Sequence, residues 1–257
     1  MKIRYKKTFL FNQEEVKNLR EFLNNFNDLN HSIALPNISK YKILFDTIFS
    51  KRVFNFIDNN FKENVFLYYD FVIQKNNRNY LENTYYHKDS GKRNQSAIIS
   101  KNKNLLFKVG IFLQDNIKEQ GGGIDVLKPF YFDTLSDKNG FINKLRAVYY
   151  YLQNKFVNTQ VYSKKGDAII FNALVKHRTT ATNLQYQEKL EDKYVIYFQL
   201  LNFDLIKDVL KIVDKDEKYK NEDDIKKNIL TIENQGKTFR ILNKEFTDLI
   251  SSYLGSA

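Results

Sequence analysis

The chain has 257 residues, with 41 Lys and Arg against 30 Asp and Glu and a formal net charge of +11. That length supports one sizeable core, and an apolar fraction of 42% with 22 Phe and 17 Tyr excludes disorder for most of the chain. The absence of cysteine excludes a disulfide framework or a thiolate metal site, and no run of about 18 apolar residues offers a membrane span. Lysine and asparagine are spread evenly, so the charge reads as a compositional bias, and no specific nucleic-acid partner is expected. After the basic start, Phe9-Leu10-Phe11 is too short for a signal-peptide core; a soluble cytoplasmic protein is the expectation.

Asn12 with Glu15 three residues on predicts a capped helix whose apolar positions Val16, Leu19, Leu23 and Phe26 share a face. Further helices are predicted over Ile38–Phe49 and Val53–Asn59. The period then changes, and the β-branched and aromatic run Val65–Gln74 predicts a buried strand. Strands follow over Leu105–Gln114, Ile124–Leu127, Ala168–Asn172 and Tyr194–Leu201. A helix over Asn139–Gln153 interrupts them, and Gly121-Gly122-Gly123 marks a tight connection. On the first of these strands, alternation places Lys108, Gly110, Phe112 and Gln114 on one face and Val109, Ile111 and Leu113 on the other. Helices over Asp204–Val213, Asn221–Glu233 and Leu242–Leu254 are expected to close the chain. The expectation is one domain over residues 1–257, with a helical N-terminal flank (1–62), a strand-rich core (about 65–203) and a helical C-terminal flank (204–257).

Only three histidines are present, and two lie in settings that point to chemistry. His87 is followed by Asp89 in Tyr86-His87-Lys88-Asp89-Ser90-Gly91, and His177 follows the strand introduced by Gly166-Asp167. Two imidazoles and one carboxylate hold one face of a non-haem Fe(II) ion and leave the other positions open. Tyr85 and Tyr86 flank the first of these motifs, whereas His31 has no ligand partner at useful spacing and reads as a loop residue.

Several blocks in order resemble the phytanoyl-CoA dioxygenase-like family. They are His87-Lys88-Asp89-Ser90-Gly91, Phe107 to Asn116, Gly121 to Val126, Gly166 to Phe171, His177, and Lys193 to Phe198. The resemblance implies a mainly β fold with flanking helices, a double-stranded β-helix (jelly-roll, cupin-like) core from about Val65 to Phe203. It implies His87, Asp89 and His177 as ligands of Fe(II), with 2-oxoglutarate and O2 as cosubstrates and succinate and CO2 as products. Retention of Asp89 favours hydroxylation over halogenation.

The chain departs from the family in three places. The family's arginine for the far carboxylate of 2-oxoglutarate has no counterpart, since no Arg lies between Arg178 and Arg240. Lys193 is the closest match and Lys189 the alternative; a lysine neutralises the carboxylate without the bidentate fork. Arg178 is next to His177, which on a strand sends its side chain to the other face. Lys108 and Gln114 are further candidate cosubstrate contacts. The segment after the glycine turn is Val126-Leu127-Lys128-Pro129-Phe130 where the family has Pro-Gly-Ser-His, and Phe171-Asn172 replaces Phe-Asp. The basic stretch Lys92–Asn104 suits a small phosphorylated, nucleotide-linked or carboxylated substrate. The competing reading is a non-catalytic jelly-roll binding module that has lost 2-oxoglutarate turnover.

Overall fold

The computed structural model describes residues 5–25, 32–34, 38–60, 65–76, 86–87, 106–117, 121, 123–128, 140–157, 159–172, 175–180, 193–213 and 221–254. The strands are β1 (Tyr5–Phe9), β2 (Ser32–Ala34), β3 (Val65–Asn76), β4 (Leu106–Phe112), β5 (Ile124–Val126), β6 (Gln160–Val161), β7 (Asp167–Asn172), β8 (His177–Thr179), β9 (Lys193–Asn202), β10 (Ile229–Asn234) and β11 (Lys237–Leu242). The helices are α1 (Gln13–Asn24), α2 (Lys42–Ile48), α3 (Lys51–Asn60), α4 (Gly140–Phe156), α5 (Phe203–Val213), α6 (Glu222–Lys226) and α7 (Lys244–Leu254). None of them is long and apolar enough to cross a membrane.

Eight strands form one sheet in the order β1-β7-β4-β9-β3-β11-β10, with β2 also on β3, and β6-β5-β8 form a second. All described pairings are antiparallel except β11 with β3. The middle strands β4, β7 and β9 are buried on both faces, which is why their sequences run nearly continuously apolar. One face carries Val109, Ile111, Ile170, Tyr194, Ile196 and Phe198 into a core shared with Leu19 and Leu23 of α1, Leu44 and Ile48 of α2, and Val53 and Phe56 of α3. The opposite face carries Phe112, Ile169, Phe171 and Val195 against Ile124, Val126 and Val161 of the small sheet. The predicted alternation on β4 is the one observed.

The cap of α1 is as expected: Asn12 Oδ1 accepts the Glu15 N–H, and the Glu15 carboxylate accepts the Asn12 N–H. Gly121 takes a positive φ of 60°.

The flanks differ from expectation. Tyr5–Phe9 is a strand, drawn onto the sheet edge by five paired positions on β7. The helix expected over Asn221–Glu233 ends after the five residues of α6 and gives way to the β10–β11 hairpin. Gln235 and Gly236 at its tip have φ of 51° and 69°, the left-handed pair that a two-residue hairpin turn needs. The helix predicted from Leu242 begins two residues later, where Asn243 Oδ1 accepts the Phe246 N–H.

Candidate metal centre

Local backbone pairing brings the two histidines together. His87 N–H donates to the His177 carbonyl at 2.9 Å and His177 N–H donates back to the His87 carbonyl at 2.9 Å. Directly opposed residues of an antiparallel pair project to the same face, and the two imidazoles stand 4.6 Å apart between ring centroids at 54°. His177 is buried, packed 4.7 Å from the Phe171 ring, while His87 is exposed. The Nδ1 of His177 lies 2.9 Å from the Val175 carbonyl. A carbonyl only accepts, so Nδ1 carries the proton and the lone pair is on Nε2. That is the tautomer of a metal-binding histidine held by a backbone acceptor. Two nitrogen donors on one face, one already in ligating form, fit a divalent metal of the imidazole-binding class. Asp89 lies outside the described residues, as does Lys189; among the described residues no third His, Asp or Glu joins the pair.

The other face of the small sheet carries a polar network that sequence reasoning did not single out. Asp125 of β5, 5% exposed, accepts Arg178 Nε at 3.0 Å and Thr180 Oγ1 at 2.7 Å. The Arg178 guanidinium stacks over the Tyr86 ring at 4.3 Å, and the Tyr86 hydroxyl shares a 2.9 Å hydrogen bond with Thr159. Burial pushes the Tyr86 hydroxyl above its ordinary pKa of 10, against the Thr159 hydrogen bond and the Arg178 charge, which lower it. Tyr86 and Arg178 are the chain neighbours of the two histidines, so the stack ties His87 to His177 from behind. The signal was present: Asp125 sits between inward Ile124 and Val126, where alternation demands an outward side chain with a partner.

Lys193 opens β9 on the face that Val195 and Tyr197 share, looking toward the small sheet, and is 6% exposed. Burial lowers its ammonium from an ordinary 10.5 to about 8. Lys108 stands on the same face at the other end. It pairs laterally with Phe171, the ring under His177, and with Gln199, and its Nζ lies 4.9 Å over the Tyr197 ring. From the Gln199 row to Lys193 is roughly 20 Å along β9, so the two lysines mark the two ends of this inner face. Gln114 accepts the Tyr194 N–H at 2.7 Å and donates to Asn116 Oδ1 at 3.2 Å, fixing the start of β9 beside Lys193.

No protein-family model matches the chain, and no curated protein matches it in sequence. Solved structures do match. HygX from Streptomyces hygroscopicus with iron bound is 12% identical, with a TM-score of 0.55 over 79% of this chain and 83% of that one. The same protein with nickel and 2-oxoglutarate bound gives 11% identity and a TM-score of 0.53 over 79% and 84%. SnoN, a non-heme alpha ketoglutarate dependent epimerase from nogalamycin biosynthesis, gives 11% and 0.51 over 78% and 79%. What is shared is the fold. None of these three carries the phytanoyl-CoA dioxygenase name.

Proposed function

We propose that the chain is an Fe(II)- and 2-oxoglutarate-dependent oxygenase of the phytanoyl-CoA dioxygenase-like kind, a single domain that hydroxylates a small anionic metabolite with release of succinate and CO2. The observation that carries the proposal is the reciprocal backbone pairing of His87 with His177, which sets both imidazoles on one face with the His177 Nδ1 held by the Val175 carbonyl. Strand order supports it. Along the chain, β3, β4, β7 and β9 lie in the large sheet, while residue 87, β5, β6 and β8 lie in or bridge to the small one. That distribution suits a double-stranded β-helix over about 65–203. The structures with iron, or with nickel and 2-oxoglutarate, that share the fold support the same choice of cofactor and cosubstrate.

In this reading His87, Asp89 and His177 hold the metal. Bound Fe(II) with 2-oxoglutarate and O2 supplies the oxidising chemistry. Lys193 neutralises the far carboxylate of 2-oxoglutarate at the deep end of the inner face, with Lys189 as the alternative, and Gln114 positions the strand start that carries Lys193. Phe171, Val195 and Tyr197 exclude water between. Lys108, beside the histidine end, meets the cosubstrate or an anionic substrate group.

The test is anaerobic addition of Fe(II) and then 2-oxoglutarate, watching for the weak visible charge-transfer band of a chelated ferrous centre. A band lost in His87→Ala and weakened in Lys193→Ala is expected. Iron binding without the band would favour the non-catalytic binding module instead.

A further inference from the structure

Helix α4 presents an apolar seam to solvent. Leu145, Val148, Leu152 and Phe156 are 42%, 55%, 45% and 71% exposed, and their spacing of three, four and four residues puts them on one line along the helix. The opposite side of the helix is the anchored one. Tyr150 is buried with the Lys176 ammonium 3.9 Å over its ring, and Gln153 bonds both the N–H and the carbonyl of Lys128 at 2.8 Å. A surface helix normally turns its apolar stripe inward and its charges outward. This one turns an apolar line outward as well.

Its charge is as unusual as its polarity. Among the described helices α4 alone contains no aspartate or glutamate, although it is the longest. Lys144 and Lys155 flank the seam on its exposed side, with Lys155 lying over the rings of Tyr151 and Phe156 at 5.9 and 5.4 Å. Among the described residues, every charge carried by α4 itself is therefore positive. We infer that α4 is a docking surface for an acidic amphipathic helix of a partner protein, whose apolar stripe covers Leu145, Val148, Leu152 and Phe156 and whose carboxylates meet Lys144 and Lys155.

Two other occupants fit less well. A second copy packed antiparallel on the same seam sets Lys144 of one chain beside Lys155 of the other, and opposed like charges disfavour that pairing. A lipid surface calls for a broad apolar face. Here Phe141, 69% exposed, extends the line, while Tyr151, 61% exposed, stands apart from it with Lys144 and Lys155 between. Tyr149 and Ile142 on the other flank are half-buried against the protein, so the apolar surface is narrow and interrupted by charge. Docking here would place the partner one helix thickness from Lys176, the neighbour of His177, yet the surface stands whether or not the metal reading holds.

The test uses the full chain and a synthetic amphipathic helix of about three heptads, with leucine at the seam positions and glutamate at the flanks, alongside its lysine-flanked counterpart. The glutamate peptide is expected to bind and the lysine peptide not to. Lys144→Glu with Lys155→Glu should weaken the first by on the order of tenfold or more and confer binding of the second. Leu152→Glu should abolish binding without lowering the melting temperature. Several results would overturn the proposal. They are binding to anionic vesicles but to neither peptide, concentration-dependent dimers dispersed by Leu152→Glu, marked destabilisation of the free protein by Leu152→Glu, or equal binding of both peptides. In the third case, the chain's own segments cover the seam.

Discussion

Replacing Lys193 with methionine separates the fold's interest from the site's. Lys193 is 6% exposed, and its ammonium loses its proton at about 8, where an ordinary lysine holds it to 10.5. Below about 8 both folded and unfolded chains carry the charge, and the folded state bears the full cost of burying it. Between about 8 and 10.5 only the unfolded chain holds the proton, so stability rises with pH; above 10.5 the cost is gone. The cost at pH 7 is about 3 kcal/mol from the two pKa values, and about 1 to 2 kcal/mol once solvent reaching the ammonium is allowed for. Methionine nearly matches the volume without the charge. Lys193→Met should therefore gain about 1 to 2 kcal/mol in urea unfolding at pH 7, an advantage that shrinks toward zero by pH 10.5, while weakening the 2-oxoglutarate charge-transfer band. A variant less stable than the parent at pH 7, with no pH dependence to the difference, would refute the claim that the buried charge burdens the fold. A variant that gives the full band at the parent's 2-oxoglutarate concentrations would refute the cosubstrate role.

Arg178→Ala strands the Asp125 carboxylate in a 5% exposed position and should lower stability by about 3 kcal/mol or more. Arg178→Ala with Asp125→Ala should cost less than the sum of the two single changes in a double-mutant cycle; additive effects would show that the pair is not coupled. Gly166 has φ of 88°, and a Cβ there would sit 1.9 Å from the Phe11 carbonyl oxygen, so Gly166→Ala should cost well above the roughly 1 to 2 kcal/mol of a left-handed alanine alone. Gly236→Ala, with φ of 69° and open space, should stay near that lower figure, which thermal unfolding of the two proteins compares directly. A Cβ at Gly110 meets the Tyr197 ring at 2.7 Å, so Gly110→Ala should shift that ring, change the near-ultraviolet circular dichroism and weaken 2-oxoglutarate binding; an unchanged spectrum would place Tyr197 elsewhere.

What the sequence showed and what it hid divide along physical lines. The runs 106–112 and 193–202 were legible because strands buried on both faces must be apolar throughout, and the α1 cap because Asn12 and Glu15 satisfy orphan N–H groups at fixed spacing. The β10–β11 hairpin was hidden. Its strands are half exposed and follow directly on the charges of the short helix α6, whose pattern reads on into them, so only the Asn-Gln-Gly turn at 234–236 betrayed it. The histidine pair was legible as residue types in order, but not the mutual hydrogen bonds that oppose their backbones. Asp125 was marked by its place between Ile124 and Val126, but its partners were hidden because they lie in three other segments. They become neighbours only through the pairing of β5 with β8, the bridge of His87 to His177 and the Val126 bond to Thr159.

That network also decides which cation can serve the inner face. Arg178 is the sole arginine between His177 and Arg240, and the structure turns it away from the histidines onto Asp125 and Tyr86. Lysines remain, and among the described residues Lys193 is the cation in place at the deep end of the inner face. A lysine there differs from arginine in being able to lose its charge near neutrality, since its proton leaves at about 8. An anion bound beside it favours the protonated form, so 2-oxoglutarate should bind with proton uptake, and its dissociation constant should rise with pH above about 8, approaching tenfold per pH unit. Lys193→Arg keeps the charge at every accessible pH. Its dissociation constant, read from the charge-transfer band, should be flat from about pH 7 to 9.5 where the parent's climbs. Parallel curves for the two proteins would mean that another group sets the pH dependence and that the far carboxylate of 2-oxoglutarate lies away from Lys193.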